Sequence, residues 1–494
     1  MSSSPERKRP KRSTDISDDK TSALYAKSYK RVTKDDLYMI IALWMQDIAK
    51  LPGVNKRSNT LRSDADKPRY HNVGAVLVLP NDVIFAADCS RDGAHAVARL
   101  LMQHSDKAEG CKIFVSRKPC PLCAKLLVQS KVKRVLYLPS EPEYYPLDKA
   151  DKVKAELDKA KAGADKAKAG ADKADDDERK AAPVNRMSQV DNMFTASAIA
   201  QTIFVFQVES GVLTDASSRK NPGRVNEVKE IIEGKKKEFV RRYGFEGNPG
   251  WKEVMKEELP WPAFNSDIDS QVQKYFNNAM EWMAQTMVLS GKGLDYDFKL
   301  SGPSVPRKSK TIFDPVDPDQ ARRFIVIARF LAERTDDPKT GVGAVIVSPK
   351  MDVLAFGWNG FPFKAYYSEF ARASDDDDPT LDKKYPYVIH AEQNAILMRN
   401  SKSVEGAILF VTKTPCDECA PLIAMAGIKT VVVDEGERKK KNHEKKELSY
   451  TMFRDMVKDS TFVCYETRKQ NNPEDANISK ARKRLSVKME QSLD

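Results

Sequence analysis

The chain has 494 residues, of which 41% are apolar, so it is long enough for two or more domains with ordinary hydrophobic cores. Lys and Arg number 83 against 71 Asp and Glu, and the net charge of +12 favours an anionic ligand without distinguishing nucleotides from nucleic acid. The sequence has no apolar run of roughly 18 residues and no apolar N-terminal signal, so we expect neither a membrane span nor secretion.

Both ends of the sequence are polar and carry basic clusters. "RKRPKR" (7–12) lies in the segment 1–30, and "KARKR" (480–484) lies in the segment 469–494. Such clusters are typical either of nuclear import signals or of solvated, disordered tails. We therefore predict disordered basic tails and a protein of the cytoplasm and nucleus.

The segment 31–210 is predicted to form a domain of alternating strands and helices. A helix at 33–50 begins with a capping Thr and an acidic first turn, and its apolar residues follow at helical spacing. Apolar runs at 73–80 and 82–90 predict a hairpin of buried strands. The elements that follow are a helix from His95, a strand at 111–119, a helix from Cys120, and strands at 134–139 and 202–208.

Two further segments lie outside this pattern. Residues 148–182 contain two copies of "DKAKAGA", a low-complexity insert that can bury no apolar face and is predicted to be a spacer. Residues 211–310 are predicted to form a helical bridge and linker, with apolar stripes at helical spacing in 224–243 and 267–287. The aromatic and methionine stripe of 267–287 is typical of a core or an interface, and we consider it a candidate contact of a homo-oligomer.

The segment 311–468 repeats the first domain in the same order. Its "VGAVIVSP" matches "VGAVLVLP" of the first domain at six of eight positions. The histidine precedes the first cysteine by 26 residues between His390 and Cys416, and by 25 residues between His95 and Cys120. The other predicted elements are a helix at 317–335 and strands at 342–349, 352–359, 407–415, 429–436 and 461–467.

Three soft ligands in the second domain, His390, Cys416 and Cys419, match the donors of a tetrahedral zinc site. The cysteines lie at i and i+3 in the first turn of a predicted helix, where the helix dipole stabilises thiolates. A closed structural site would need a fourth protein ligand, and none follows at a suitable short spacing. We therefore predict a zinc site with one position open to water; a purely structural site is the alternative.

Glu392 follows the predicted metal histidine by two residues. A carboxylate at this position can take a proton from zinc-activated water and pass it to a substrate. The pattern H-x-E followed by P-C-x-x-C is the signature of zinc nucleobase deaminases. Glutamate is common in first helical turns for other reasons, so the prediction depends on the whole combination.

Four motifs of the second domain carry a family resemblance: "DPKTGVGAVIV" (337–347), "GWNGFP" (357–362), "KYPYVIHAEQNAI" (384–396) and "TPCDECAPLIAMAGI" (414–428). They resemble the dCMP deaminase branch of the cytidine deaminase superfamily. The whole arrangement is similar to the two-domain family of cytidine and dCMP deaminase domain-containing proteins, which deaminate deoxycytidine nucleotides, including dCTP. The resemblance implies an α/β protein with two three-layer α/β/α domains, each with a five-stranded mixed sheet, joined by the helical bridge.

The resemblance also implies how the substrate is held. Asn359 would hydrogen-bond the sugar, and the backbone at Ala391 and Thr414 would read the amino edge of the base. The full predicted substrate-binding set is Asn359, Ala391, Thr414, Thr340, Lys364 and Tyr387. The family often has Arg after "GFP", whereas Phe and then Lys364 follow here, so the number of phosphates recognised stays open. Other candidate phosphate ligands are Lys339, Arg372, Lys383 and Lys384.

The first domain keeps the ligands His95, Cys120 and Cys123 but has Val97 where the second has Glu392. It also lacks a counterpart of "GWNGFP". Valine cannot move protons, so we predict that this site binds zinc without turnover and that the chain holds two zinc ions. A structural role, an assembly surface and an allosteric nucleotide site are all compatible with this pattern.

The leading functional prediction is zinc-dependent deamination of free deoxycytidine nucleotides, with dCTP favoured over dCMP, by a homo-oligomeric enzyme. The alternative is a single-stranded DNA or RNA cytidine deaminase, which would need a basic groove with aromatic platforms. The acidic "SDDDDP" (374–379) lies beside the predicted site and disfavours a polynucleotide backbone. A tRNA adenosine deaminase matches "GWNGFP" less well, and a zinc-binding scaffold would not need Glu392.

Overall fold

The computed structural model describes the strands and helices of both predicted domains and of the bridge. The described residues are 30–49, 69–138, 140, 144–145, 186–218, 228–244, 266–289, 299–301, 316–337, 340–362, 384, 387–435 and 449–468. The basic clusters at 7–12 and 480–484 and the insert at 148–182 lie outside the described residues. The predictions made for those segments therefore stay predictions.

The first domain has the predicted five-stranded mixed sheet, in the order β3-β2-β4-β5-β7. Strand β2 pairs antiparallel with β3 and β4, whereas β4, β5 and β7 run parallel. The elements are α1 (Lys34–Ile48), β1 (Arg69–Tyr70), β2 (Gly74–Val78), β3 (Ile84–Cys89), α2 (Ala96–His104), β4 (Lys112–Val115), α3 (Pro121–Gln129), β5 (Arg134–Tyr137), β6 (Tyr144–Tyr145), α4 (Arg186–Ala196) and β7 (Ala200–Ile203). The predicted cap of α1 is confirmed, because the Thr33 hydroxyl accepts a bond from Asp36 N at 3.0 Å.

The last strand of this sheet is shorter and earlier than predicted. We predicted a strand at 202–208, but β7 ends at Ile203 and the chain then leaves the sheet. Phe204 and Phe206 are buried, and the ring of Phe206 lies 6.0 Å from that of Phe276 in the bridge. The ring of Phe204 lies 5.9 Å from that of Phe114 in β4, so the apolar pattern of this segment reflects packing first on the sheet and then against a bridge helix.

The second domain contains the predicted strands in the order β10-β9-β11-β12-β13, with one addition. The added strand, β8 (Lys299–Ser301), pairs antiparallel with β13 at the sheet edge. We had assigned these residues to the bridge, because three residues are too few to show an alternating pattern. The other elements are α8 (Pro318–Ala332), β9 (Gly343–Val347), β10 (Val353–Trp358), α9 (Ala391–Leu397), β11 (Ile408–Lys413), α10 (Cys419–Met425), β12 (Thr430–Glu435), α11 (Thr451–Lys458) and β13 (Val463–Arg468).

The bridge helices pack beside α1 and α8, which cover one face of the two sheets. They are α5 (Ser210–Ser218), α6 (Lys229–Tyr243) and α7 (Ser266–Leu289), and they pack with α1 and α8 in one apolar core that both sheets share. The stripe of α7 is buried here: Val272, Phe276, Met280, Met283 and Met287 are each at most 9% exposed. The stripe therefore packs within the chain, which corrects our suggestion that it contacts another copy.

Each sheet is covered on both faces, as the predicted three-layer fold requires. The outer face of the first sheet packs against α2, α3 and α4, and that of the second against α9, α10 and α11. Strands β2 and β9 are buried at every position, which is typical of strands covered on both faces. Among the described helices, none is both long and apolar enough to cross a bilayer.

Candidate metal and active site

The predicted ligands of the second domain meet where two helices begin. His390 is the N-cap of α9, Cys419 is the first residue of α10, and Cys416 lies in the turn before it. The N–H groups of Cys419 and Ala420 donate to the Cys416 carbonyl at 3.0 and 2.9 Å, so this turn fixes both sulfurs. We expected both cysteines within the helix; the helix instead begins at the second one.

The three side chains form a compact donor set. His390 Nδ1 lies 3.2 Å from Cys419 Sγ and 3.3 Å from Cys416 Sγ. Tetrahedral zinc, with bonds of about 2.3 Å to sulfur and about 2.0 Å to nitrogen, separates such atoms by about 3.6 Å. Donor type and spacing therefore fit zinc after a small outward movement of the side chains. That these residues bind zinc stays a prediction for this chain.

The hydrogen bonds within this set shift the pKa of each member. The bond with Cys419, helped by the bond with His390, lowers the pKa of Cys416 to about 4 although burial opposes the shift. Burial alone would lower the pKa of His390, but the bond with Cys416 and its charge outweigh burial and raise that pKa to about 9. The site thus stabilises a thiolate, which is the form that a metal ligand requires.

Glu392 lies against this donor set in the first turn of α9. Its side chain is buried, and burial is the main reason that the pKa of Glu392 rises to about 7. The charge of His390 and a hydrogen bond with Cys419 oppose that rise. A carboxyl group with this pKa changes its protonation state near neutral pH, as a proton carrier must.

The position of α9 depends on a close approach to β10. A Cβ atom at Gly357 would lie 2.2 Å from Ala391 O and 2.6 Å from Ala395 N, so only glycine permits the helix to lie so near the strand. Asn394 Nδ2 then donates to Trp358 O at 2.7 Å. These contacts fix the turn that carries Glu392 relative to the end of β10.

The loop after α8 and the end of β10 form one hydrogen-bonded unit. Asn359 Oδ1 accepts a bond from Val342 N at 2.7 Å, and Asn359 Nδ2 donates to Thr340 O at 2.8 Å. Asp337 accepts from Thr340 N at 3.1 Å and forms a buried ion pair with Lys384. Asn359 therefore orders the loop that contains Thr340, and its predicted contact with a sugar stays a prediction.

The remaining predicted substrate residues lie near these elements. Ala391 begins α9, and Thr414 lies in the short segment between β11 and Cys416. Tyr387 is 38% exposed, and its N–H donates to Lys384 O at 2.9 Å. The candidates outside the described residues are Lys364, Lys339, Arg372 and Lys383. Lys384 is only 3% exposed and bound to Asp337, so it supports the loop, whereas we had considered it a phosphate ligand.

The first domain brings together its own predicted ligands in the same way. His95 and Cys120 are the N-caps of α2 and α3, and His95 Nδ1 lies 3.3 Å from Cys120 Sγ and 3.4 Å from Cys123 Sγ. The hydrogen bond with Cys123 is the main cause that lowers the pKa of Cys120 to about 4. Val97, in the place of the glutamate, is buried in the apolar core. The donor set fits zinc, but an apolar side chain that cannot carry protons stands in the place of the glutamate.

Two more differences separate the first domain from the second. In the first domain, an isolated β-bridge between Arg91 and Ala94 closes the short turn before His95. In the second domain, the corresponding β-bridge joins Gly360 to Ile389 and closes a much longer connection. Asp88 stands where the second domain has Gly357, and it accepts from Arg99 Nε of α2 at 2.9 Å. We had found the missing loop in the sequence but not the loss of this glycine.

The sequence also gave no role to Asp337 or Asn394, which position the loop and α9. Both lie inside motifs that we quoted, so the family pattern marked them as belonging to the site. Their partners are backbone groups and a lysine from distant segments, and such pairing has no local signal in a single sequence.

Comparison with known proteins agrees with these features. The family model for the cytidine and deoxycytidylate deaminase zinc-binding region matches residues 54–139 and again 318–435. Cytidine and dCMP deaminase domain-containing protein 1 of Danio rerio is 25% identical over 444 residues, covering 86% of this chain and 87% of that protein. Deoxycytidylate deaminase of Mycobacterium phage D29 is 36% identical over 121 residues, covering 23% of this chain and 94% of that protein.

Human deoxycytidylate deaminase is 42% identical over 116 residues, covering 22% of this chain. This chain spans 61% of the length of that relative. The higher identity to these two deoxycytidylate deaminases is thus confined to a segment about the size of one domain.

Proposed function

Because the chain belongs to the cytidine and deoxycytidylate deaminase family, we propose that its second domain hydrolytically deaminates the cytosine base of free deoxycytidine nucleotides. The observation that carries this proposal is the buried Glu392 against the donor set of His390, Cys416 and Cys419. Zinc nucleobase deaminases use this combination of two thiolates, an imidazole and a nearby glutamate.

His390, Cys416 and Cys419 would hold the metal, and zinc bound there would supply Lewis-acid activation of a water molecule. Glu392 performs the proton transfers. Its carboxylate accepts a proton from the water that adds to C4 of cytosine and delivers it to N3. It then takes the remaining proton of the hydroxyl added at C4 and gives it to the departing amine. The C4–N bond then breaks, and uracil and ammonia are formed. A pKa of about 7, raised by burial, suits Glu392 to both directions of transfer.

Within this class we propose dCTP ahead of dCMP as the substrate. The support is the match to a two-domain relative over most of both chains, since the two-domain family resembled by the sequence includes dCTP among its substrates. Asn359 is proposed to contact the sugar, and the backbone at Ala391 and Thr414 to contact the amino edge of the base. Thr340, Lys364 and Tyr387 complete the proposed contacts.

For the first domain we propose zinc binding without turnover. His95, Cys120 and Cys123 form an equivalent donor set, but Val97 cannot carry protons and the turn at 91–94 leaves no counterpart of the substrate loop. Metal analysis of the purified chain is then expected to find two zinc ions per chain. A value of one would contradict zinc binding in the first domain.

We also propose a homo-oligomer, with a contact other than the one first suggested. Leu397 and Met425, on α9 and α10, are 68% and 80% exposed and line the same surface cavity, and a shared exposed apolar surface is typical of an interface. Sedimentation of the wild type and of Met425→Lys tests this contact. A sedimentation coefficient that falls in the variant supports it, and identical monomeric behaviour of both proteins contradicts it.

The function is tested by incubating the full chain with dCTP, dCMP, CTP and a single-stranded oligodeoxynucleotide and quantifying the uracil products. We expect dUTP from dCTP as the main product. Glu392→Gln, which keeps the side-chain size, is expected to retain zinc and to form product at least about 10²-fold more slowly than the wild type. Product from the oligonucleotide alone would favour a polynucleotide cytidine deaminase and overturn the proposal.

A further inference from the structure

The two domains meet along the free edges of their sheets. Strand β3 is the edge of the first sheet and β10 the edge of the second, and these two strands lie next to each other. An edge strand presents backbone groups that need partners. Side chains from both domains supply such partners along this seam, which we define as the contact between β3, β10 and their adjoining turns.

Asn400 joins the two edges through a single side-chain amide. Its Nδ2 donates to Phe85 O of β3 at 3.1 Å and to Val353 O of β10 at 3.0 Å. Its backbone N–H donates to Leu354 O of β10 at 2.8 Å. A primary amide has two N–H donors, so one hydrogen serves each domain. Aspartate or alanine at this position could make neither side-chain bond.

Asn400 follows directly after the helix that carries Glu392. Near the middle of that helix, α9, the side chain of Asn394 donates to Trp358 O at the end of β10. Asn400, three residues beyond the end of α9, binds the opposite end of β10. The helix is therefore attached to the edge strand at two points, and the second attachment is shared with the first domain.

A buried ionic contact secures the same seam from the other side. Arg91 donates to Lys350 O at 2.9 Å and forms an ion pair with Asp352, in the turn that leads into β10. Its side chain is 7% exposed, and Arg99 of α2 reaches the same carboxylate at 3.4 Å. Arg91 belongs to the turn immediately before His95. The first domain thus holds the turn that leads into β10 and, through Phe85 O, the side chain of Asn400.

We propose that the first domain acts as a brace for α9 and that Asn400 is the positioning residue through which it acts. A shift of α9 on β10 would move Glu392 relative to His390 and the two cysteines, and small misplacements of a proton carrier reduce the rate strongly. The first domain, which has Val97 at the position of Glu392, thereby contributes to the reaction of the second domain. The catalytic consequence rests on the proposed function, whereas the brace itself does not.

The test compares Asn400→Ala and Asn400→Asp with Lys402→Ala in the full-length chain. Lys402 is exposed and lies two residues beyond Asn400 in the same segment, so its variant is the matched control. The first measurement is hydrogen exchange of the α9 amides. Loss of the two bridging bonds is expected to speed their exchange about tenfold in both Asn400 variants, and the control is expected to match the wild type.

The second measurement is steady-state kinetics with dCTP. Positioning predicts that kcat falls about tenfold in Asn400→Ala while KM changes little, because substrate contacts are kept. Unchanged exchange in Asn400→Ala, or wild-type behaviour of Asn400→Asp, would overturn the brace. Faster exchange with unchanged kcat would overturn the positioning role. Faster exchange in a chain that deaminates none of the nucleotides would support the brace and overturn the proposed function.

Discussion

A buried ion pair in the second domain tests whether the two domains are equivalent at the level of single residues. Arg329 of α8 donates from Nε and Nη2 to the two carboxylate oxygens of Asp434, each at 2.7 Å. The two side chains are 6% and 2% exposed. Arg329 also donates to Met287 O at 3.0 Å, which ties α7 to the same pair.

The first domain has an apolar pair at the corresponding positions. A Cβ atom at Gly74 would approach Ala42 O, just as one at Gly343 would approach Ala328 O. Ala42 and Ala328 are therefore equivalent positions. The residues that follow them, Leu43 of α1 and Arg329 of α8, correspond to each other as well. The strand registers likewise make Leu138, which directly follows β5, the counterpart of the aspartate in β12. Both leucines are almost fully buried.

Single and double substitutions are then expected to behave differently. Arg329→Leu or Asp434→Leu alone leaves a buried charge without its partner and should lower the free energy of unfolding of the second domain by about 3–5 kcal/mol. The double variant copies the first domain. It removes both charges together and takes away the donor to Met287 O, so a loss of about 1–2 kcal/mol is expected.

Calorimetry of the full chain measures these losses as shifts in the Tm of the transition that contains the second domain. At about 3 °C per kcal/mol, each single variant should lower that Tm by about 9–15 °C and the double variant by about 3–6 °C. A double variant that is more stable than either single variant would support the equivalence of the two pairs. A double variant as unstable as the worse single variant would refute it.

Three other outcomes are expected. Gly357→Ala should lower turnover about tenfold or more with zinc retained, because the added Cβ atom displaces α9. Gly234→Ala, at a position with open space around it, is the control. Full activity of Gly357→Ala would contradict the close-packing argument. Burial lowers the pKa of His104 below 6.5. The contribution of its neutral side chain to the free energy of unfolding is therefore lost as the pH falls through 6.5 towards the folded-state pKa. His104→Phe should therefore show a smaller drop in Tm than the wild type from about pH 7.5 to about pH 5.5, and equal drops would disprove this. Val97→Glu should form no product in a Glu392→Gln background, because the substrate loop is missing as well; product formation would show that the glutamate alone is sufficient.

The sequence predicted those parts of the site whose chemistry lies in short patterns. His390, Cys416 and Cys419 could be recognised because metal ligands need particular residue types at particular spacings. The internal repeat allowed the function of the first domain to be predicted, because the loss of the glutamate at Val97 is apparent only from comparison with Glu392. The buried strands were predicted from apolar runs, which are typical of strands covered on both faces, whereas the five-stranded mixed sheet was implied by the family resemblance.

Other features depend on contacts between distant segments and left no such pattern. Phe204 and Phe206 alternate like strand residues, but Phe206 packs against a bridge helix and only Phe204 packs against the sheet. Lys384 resembled a phosphate ligand until its buried partner was known. Asn400 gave no signal at all, because its role arises only where the edges of two sheets lie side by side.

The central claim is that Glu392 carries protons beside a metal held by one histidine and two cysteines. It is tested most directly by the rate of uracil formation from deoxycytidine nucleotides, measured for the wild type and for Glu392→Gln at equal zinc content. Loss of the proton carrier should reduce the rate by about 10²- to 10⁴-fold. A Glu392→Gln chain that keeps its zinc and the wild-type rate would contradict the claim, and so would a zinc-loaded wild type that converts no deoxycytidine nucleotide.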